Sequence, residues 1–134
     1  MSRILIIEDE RAILSLLDRI VTHMGHSAVT MANGPEALSL PADMHIDAIV
    51  TDMHMPGKPS GIQLVKILRQ RWPTAGLIVM SGYSSSEFMA KWPDLGIDEF
   101  IAKPFDMVAI RHLIKRVLSK KSGPDPIAAA VKTG

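Results

Sequence analysis

Hydrophobic residues along the chain form five short runs, separated by longer segments with a helical pattern. The runs are rich in β-branched and aliphatic residues and are too short for helices, which is typical of strands. The first run is apolar on both faces, as expected of a strand covered by two layers of helices. The predicted strands are Arg3–Ile7, Ser27–Met31, Asp47–Thr51, Leu77–Met80 and Glu99–Ala102.

Between the strands, apolar residues recur at intervals of three and four, as they do on one face of a helix. Pro41 and Pro73 follow the second and third of these segments and end them. The dipeptide Asn33-Gly34 predicts a turn before the second helix, and Asp106 predicts an N-cap for the last one. The predicted helices are Arg11–Met24, Pro35–Leu40, Ile62–Trp72, Ser84–Lys91 and Asp106–Ser119.

Strands and helices alternate throughout, which predicts an α/β fold. Five parallel strands with helical crossovers on both faces form a doubly wound (βα)5 sheet. A length of 134 residues fits one domain. We expect the domain to span residues 1–121. Residues 122–134 contain two prolines and two glycines and are expected to form a C-terminal tail or the stub of a linker.

The composition excludes several classes of protein. Hydrophobic residues make up 47% and charged residues 22% of the chain, a balance found in globular rather than disordered proteins. Apolar stretches fall far short of the roughly 20 residues of a membrane helix, and acidic residues come too early for a secretory signal. The chain has no cysteine, and therefore no disulfide framework. We expect a cytoplasmic protein with no membrane association.

Charge is unevenly distributed although the net charge is only +1. Residues 1–102 carry 8 basic and 12 acidic side chains, whereas residues 103–134 carry 7 basic and 2 acidic ones. No aromatic residue is interleaved with the C-terminal lysines. We therefore interpret the basic part as the solvated face of an amphipathic helix, and we expect no direct binding of nucleic acid.

Polar side chains capable of chemistry follow four of the predicted strands. Glu8 and Asp9 come after the first strand, Asp52 after the third, Ser81 after the fourth and Lys103 after the fifth. Ligands of open parallel sheets bind beyond the carboxyl ends of the strands, so these groups should meet at one edge. Carboxylates suit Mg²⁺, and a carboxylate can accept a phosphoryl group when a metal neutralises the incoming charge. The lysine and the serine would help to hold that group.

These residues and their neighbours resemble the receiver domains of bacterial two-component response regulators, the CheY-like fold. The resemblance covers about residues 2–120 and implies a flavodoxin-like strand order of 2-1-3-4-5. It implies phosphorelay signal transduction, in which the domain catalyses only its own aspartyl phosphorylation and dephosphorylation. The matching segments are Glu8-Asp9, Asp52-Met53-His54-Met55-Pro56-Gly57, Ser81-Gly82 and Lys103-Pro104-Phe105.

The resemblance implies a magnesium site and a phosphorylation site that share one aspartate. Asp52 would be the phosphoacceptor and also a Mg²⁺ ligand. Asp9 would bind Mg²⁺ directly, Glu8 would act mainly through water, and the backbone carbonyl of His54 would be a further ligand. Glu8 stands where the family frequently has aspartate, which gives a longer reach with the same charge.

Further roles follow from the same resemblance. Ser81 and Lys103 would contact the phosphoryl oxygens. Ser81 and Phe100 would form the switch, with Phe100 at the place where the family often has a tyrosine or another aromatic residue. His54 and Tyr83 flank the phosphoryl position, and we expect them to tune its hydrolysis.

The implied partners are proteins. A histidine kinase or phosphotransfer protein would donate the phosphoryl group, and a downstream target would bind the surface of the fourth predicted helix, the fifth strand and the fifth helix. A homodimer is a further option. Residues 122–134 are too few for a DNA-binding helix-turn-helix, so a stand-alone regulator and a fragment of a longer regulator or hybrid histidine kinase both stay open.

Three other interpretations compete with that of a phosphorylated receiver. A phosphatase of the haloacid-dehalogenase type needs a second acid two residues after the first, where this chain has His54. A dinucleotide-binding domain needs a glycine-rich turn after the first strand, where this chain has Glu8-Asp9-Glu10. A degenerate receiver that acts only as a phosphorylation-independent interaction module keeps the fold without the chemistry. The loop Pro56–Gly61, one residue longer than is usual for the family, is a departure that all receiver readings share.

Overall fold

Five parallel strands form a single sheet in the computed structural model, which describes residues 1–82 and 92–121, with only the backbone at 92, 93 and 121. The order of the strands across the sheet is β2-β1-β3-β4-β5. The predicted doubly wound α/β architecture and its strand order are confirmed. The strands are β1 (Arg3–Ile7), β2 (Ser27–Met31), β3 (Ala48–Asp52), β4 (Gly76–Ser81) and β5 (Glu99–Ala102).

Helices connect the strands and cover the sheet. The predicted helix Ser84–Lys91 and the tail 122–134 lie outside the described residues. Within the described part of the chain, none of the helices is both long and apolar enough to cross a membrane. The helical elements are α1 (Arg11–His23), α2 (Gly34–Leu38), α3 (Gly61–Arg71), a 3₁₀ turn (Trp92–Leu95) and the C-terminal helix (Met107–Lys121).

Alternating residues of β1 point into two separate halves of the core. Leu5 and Ile7 join the half covered by α2 and α3, while Ile4 and Ile6 join the half covered by α1 and the C-terminal helix. All four side chains are fully buried. Burial of each one stabilises the fold by about 1.5–3 kcal/mol. This two-sided burial is the physical reason why β1 is aliphatic from Ile4 to Ile7, after the exposed Arg3.

The helix α2 differs from its prediction at both ends. The Asn33 side chain accepts a hydrogen bond of 2.9 Å from the Glu36 backbone N–H, so Asn33 is an N-cap rather than part of a separate turn. At the other end, the Ser39 hydroxyl donates to the Glu36 carbonyl, and the helix stops at Leu38, before Pro41 acts. Serine competes for helix carbonyls in this way, which explains the earlier end.

Two strands, β3 and β4, end one residue later than predicted. Asp52 pairs with Met80 in the ladder between β3 and β4, and Ser81 pairs with Ala102 in the ladder between β4 and β5. Both polar residues are buried, with 5% and 1% of their surface exposed. They are therefore held by strand hydrogen bonding at the edge of the sheet rather than by a loop.

The C-terminal helix begins as predicted and carries part of the basic surface. Asp106 caps it by accepting a hydrogen bond of 2.7 Å from the Ala109 N–H. Arg116 and Lys120 lie 3.1 and 3.7 Å from the Glu99 carboxylate at the start of β5. Both basic side chains are half-exposed, so each pair stabilises the fold by about 1 kcal/mol at most.

Candidate functional site

Three carboxylates meet at the carboxyl ends of β1 and β3. Glu8 and Asp9 follow β1, Asp52 ends β3, and each offers an oxygen within 4.8 Å of the others. Glu8 is completely buried and Asp52 nearly so, whereas Asp9 is exposed. Three like charges at this separation repel unless a cation balances them. Their oxygens suit Mg²⁺, and the open side at Asp9 leaves room for the water ligands that Mg²⁺ keeps.

One cation of the chain already lies in this cluster. The Lys103 ammonium is 2.5 Å from Glu8 Oε1 and 3.2 Å from Asp52 Oδ2. Lys103 follows β5, and its backbone N–H donates to the Ser81 carbonyl at 2.7 Å. Its side chain thus reaches from β5 across the ends of β4 and β3 to β1, as the convergence of the strand ends predicts.

Burial and charge shift the titration of this pair. Burial raises the pKa of Glu8 from 4.5 to about 7, against the lowering effect of its hydrogen bond from Lys103, and the charge of Asp52 raises it further. Burial lowers the pKa of Lys103, but the hydrogen bond to Glu8 and the charge of Asp52 outweigh this effect and raise it. The lysine therefore stays cationic while Glu8 titrates near neutral pH in the absence of a metal.

Ser81 and Phe100 lie on the same face of the sheet. Phe100 pairs in register with Val79. Val79 and Ser81 are two residues apart in β4, so their side chains point to the same side of the sheet. Ser81 is buried at the end of its strand, whereas Phe100 is half-buried and packs against the half of the core under α2 and α3. The two residues of the predicted switch are thus arranged along one side of neighbouring strands.

The loop after β3 begins with a hydrogen bond to the Asp52 carboxylate. The His54 N–H donates to Asp52 Oδ1 at 3.3 Å, and the His54 side chain is exposed. Met53 and Met55 are buried on either side of it and anchor this part of the loop in the core. The backbone of His54 therefore lies beside the Asp52 carboxylate, while Tyr83 lies outside the described residues.

The complete burial of Glu8 is a feature that sequence reasoning missed. The interpretation as an acid acting mainly through water did not include its ion pair with Lys103. Glu8 continues the buried run of β1, and its N–H donates to the Met31 carbonyl at 3.0 Å. An acid directly after four buried aliphatic residues is the signal that could have indicated this burial.

The sequence model of the response regulator receiver domain family matches residues 4–131. The chain belongs to this family. It is 31% identical over 120 residues to sporulation initiation phosphotransferase F of Bacillus subtilis (strain 168), covering 90% of this chain and 96% of that protein. The chain spans only 26% of the NtrC regulator of Azospirillum brasilense and 54% of the MprA regulator of a Mycobacterium species.

Solved receiver structures show the same fold. A CheY-like receiver domain from Methanospirillum hungatei JF-1 aligns with a TM-score of 0.85 and 25% identity, covering 91% of this chain and 97% of that one. The response regulator TrrA of Thermotoga maritima, solved in complex with Mg²⁺ and BeF, aligns with a TM-score of 0.76 and 29% identity, covering 88% and 100%. The predicted CheY-like receiver identity is confirmed.

Membership of the family establishes the general role. Receiver domains are signalling domains of two-component systems rather than classical enzymes. They bind Mg²⁺ through an acidic cluster, and this receiver has such a cluster in Glu8, Asp9 and Asp52. Hard carboxylate oxygens, one of them open to water, fit the ligand preferences of that ion.

Proposed function

We propose that this receiver accepts a phosphoryl group on Asp52 from a histidine kinase or phosphotransfer protein and then changes a protein-binding surface. The observation that supports this proposal is the position of Asp52, which ends a buried strand between a cationic Lys103 and two further carboxylates. We further propose that residues 1–121 form the receiver domain, with residues 122–134 as a tail or linker stub, and that the protein acts in the cytoplasm.

In the proposed transfer, an Asp52 carboxylate oxygen forms a bond to phosphorus while the phosphorus–nitrogen bond of a phosphohistidine breaks. The electron pair of that bond stays on the imidazole nitrogen, which takes up a proton. Lys103 balances the charge that this places near Asp52, because its ammonium is already within 3.2 Å of the carboxylate. A preplaced cation needs no reorganisation at the moment of reaction.

The metal ligands in this proposal are Asp9, Asp52 and the His54 carbonyl, with Glu8 acting through water. When bound, Mg²⁺ supplies positive charge for the phosphoryl oxygens. The exposed Asp9 provides the solvent-facing side of this site. The buried Glu8 keeps Lys103 in place through their ion pair.

The proposed output begins at Ser81. Its hydroxyl would donate to a phosphoryl oxygen at the end of β4, and Phe100 on the same sheet face would repack in response. The downstream partner would bind the surface of β5, the C-terminal helix and residues 84–91, the last of which lie outside the described residues.

The proposal is tested by labelling the purified protein with a small phosphodonor in the presence of Mg²⁺. Intact mass should increase by one phosphoryl group, and Asp52→Asn should remove this increase. Asp43→Asn is the matched control, because Asp43 is exposed in the connection before β3, at the other end of the strand from Asp52. Chelation of the metal should also stop labelling.

Equal labelling of Asp52→Asn would show that the acceptor is another residue. A parent protein that stays unlabelled by this donor and by phosphorylated histidine kinases would favour a receiver that acts only as an interaction module.

A further inference from the structure

Gly34, the first residue of α2, leaves a space that the loop after β3 occupies. The carbonyl oxygen of Pro59 lies closer to the position of a Cβ at Gly34 than real Cβ atoms approach other atoms. A side-chain methyl group of Leu64 lies 3.3 Å from the same position. A methyl group at residue 34 would therefore displace backbone rather than the end of a flexible side chain.

The constraint at this position is space and not backbone conformation. Gly25, Gly57, Gly61 and Gly96 have positive φ, whereas Gly34 does not. An L-residue therefore fits the backbone of Gly34, and alanine has a higher helix propensity than glycine. In the absence of the contact with Pro59, alanine would stabilise α2.

Both sides of this contact lead to groups of the candidate site. Pro59 belongs to the loop that begins directly after Asp52 and includes His54. On the other side, Gly34 comes three residues after Met31, whose carbonyl accepts the Glu8 N–H at 3.0 Å. A methyl group at residue 34 would therefore act on two segments that continue to proposed Mg²⁺ ligands, one to His54 and the other to Glu8.

We propose that Gly34 is a positioning residue for the Mg²⁺ site, because its missing side chain lets the loop after the phosphoacceptor rest directly on α2. This inference depends on the proposed function, in which Glu8 and the His54 carbonyl take part in metal binding. It also explains how the structure accommodates the extra residue of the loop Pro56–Gly61, since the longer loop contacts Gly34 through Pro59.

The test is a calorimetric titration of the unphosphorylated full chain with Mg²⁺. Gly34→Ala should weaken Mg²⁺ binding by about tenfold, the lower end of the effect of removing support for metal ligands. Gly76→Ala is the matched control. Its new Cβ would lie 2.6 Å from the Val117 Cβ, at the start of β4 and far from the acidic cluster. It should lower the melting temperature but keep the parent's Mg²⁺ affinity.

Three outcomes would overturn the inference. They are an unchanged Mg²⁺ affinity in Gly34→Ala, an equal loss of affinity in both variants, and a parent protein that does not bind Mg²⁺. The last result contradicts the proposed function as well, whereas the first two contradict only the role of Gly34.

Rescue provides a second measurement if Gly34→Ala does not fold. Deletion of Lys58 shortens the loop by one residue and should draw the Pro59 backbone away from residue 34. In the Gly34→Ala background this deletion should restore folding, followed by circular dichroism, and the parent's Mg²⁺ affinity. A double variant that restores neither would overturn the inference.

Discussion

The Lys103 ammonium lies 2.5 Å from a carboxylate oxygen of Glu8, and Glu8 is completely buried. The desolvation of a buried ion pair offsets much of its attraction, so this pair is weak evidence for a stabilising role. Its second effect is on position, since the same ammonium lies 3.2 Å from Asp52. Glu8 thus holds a cation beside the proposed phosphoacceptor before any phosphoryl group arrives.

Glu8→Gln should change the pH dependence of stability. Burial raises the folded-state pKa of Glu8 from 4.5 to about 7. The stability linked to its neutral form is fully present below the unfolded pKa and is lost as the pH rises through the folded pKa. Glutamine does not ionise. In metal-free buffer, this contribution should lower the free energy of unfolding of the parent as the pH rises from about 4.5 to 7. The free energy of unfolding of Glu8→Gln should therefore increase relative to that of the parent over this range.

Urea denaturation across this range measures that difference, with equal m-values showing that both proteins unfold in the same way. A difference between Glu8→Gln and the parent that stays constant with pH would contradict the raised pKa of the carboxyl.

Asp9→Asn should weaken Mg²⁺ binding while leaving stability unchanged or slightly higher. Asp9 is the exposed member of the cluster, and removing one of three crowded carboxylates relieves repulsion. Because the Asp9 side chain is exposed, the gain in stability should stay within about 0.5 kcal/mol. Glu8→Gln should have the milder effect on Mg²⁺ binding. Titration checks the order, with Asp43→Asn as a surface control, and equal affinity in Asp9→Asn and the parent would refute it.

Local patterns in the sequence were sufficient for the architecture but not for the ends of its elements. Burial of β1 on both faces is visible in its composition, because the four residues after Arg3 must all be apolar for a two-sided core. The extension of β3 to Asp52 and of β4 to Ser81 depends on pairing with neighbouring strands, which periodicity does not report. The pattern of apolar residues ends where these polar residues begin.

The candidate site, like the fold, was predictable from the sequence only in part. Convergence of the acids and Lys103 follows from parallel strands ending at one edge. The burial of Glu8 depends on an ion pair between residues 95 positions apart, and the fit of Gly34 depends on a carbonyl in a distant loop. These contacts arise from tertiary packing, so no local motif indicates the contacts themselves, although the acid directly after the buried run of β1 is a local signal for the burial of Glu8.

A phosphoryl mimic should change the surface beyond the site itself. Ser81 and Phe100 share one face of β4 and β5, so movement of the serine toward the mimic would vacate space into which the ring could turn. On addition of beryllofluoride and Mg²⁺, amide chemical shifts should change at Phe100, at Tyr83 and in residues 106–115. In Ser81→Ala the changes should stay near Asp52. Changes confined to that neighbourhood in the parent as well would argue against the switch.

The lifetime of the phosphorylated state should depend on the side chains that flank the phosphoryl group. The His54 side chain is exposed, its backbone N–H contacts Asp52, and an imidazole is a side chain that can act as a general base toward water. Tyr83, two residues after Ser81, is bulky and has no carboxylate with which to orient water. We expect intermediate or slow hydrolysis, with the histidine helping far less than the roughly 100-fold of a well-placed general base.

Tyr83→Ala should therefore shorten the lifetime by removing a shield, whereas His54→Ala should lengthen it or leave it unchanged. Intact mass or a Phos-tag gel at timed intervals measures both, and an unchanged lifetime in Tyr83→Ala would show that shielding does not control hydrolysis.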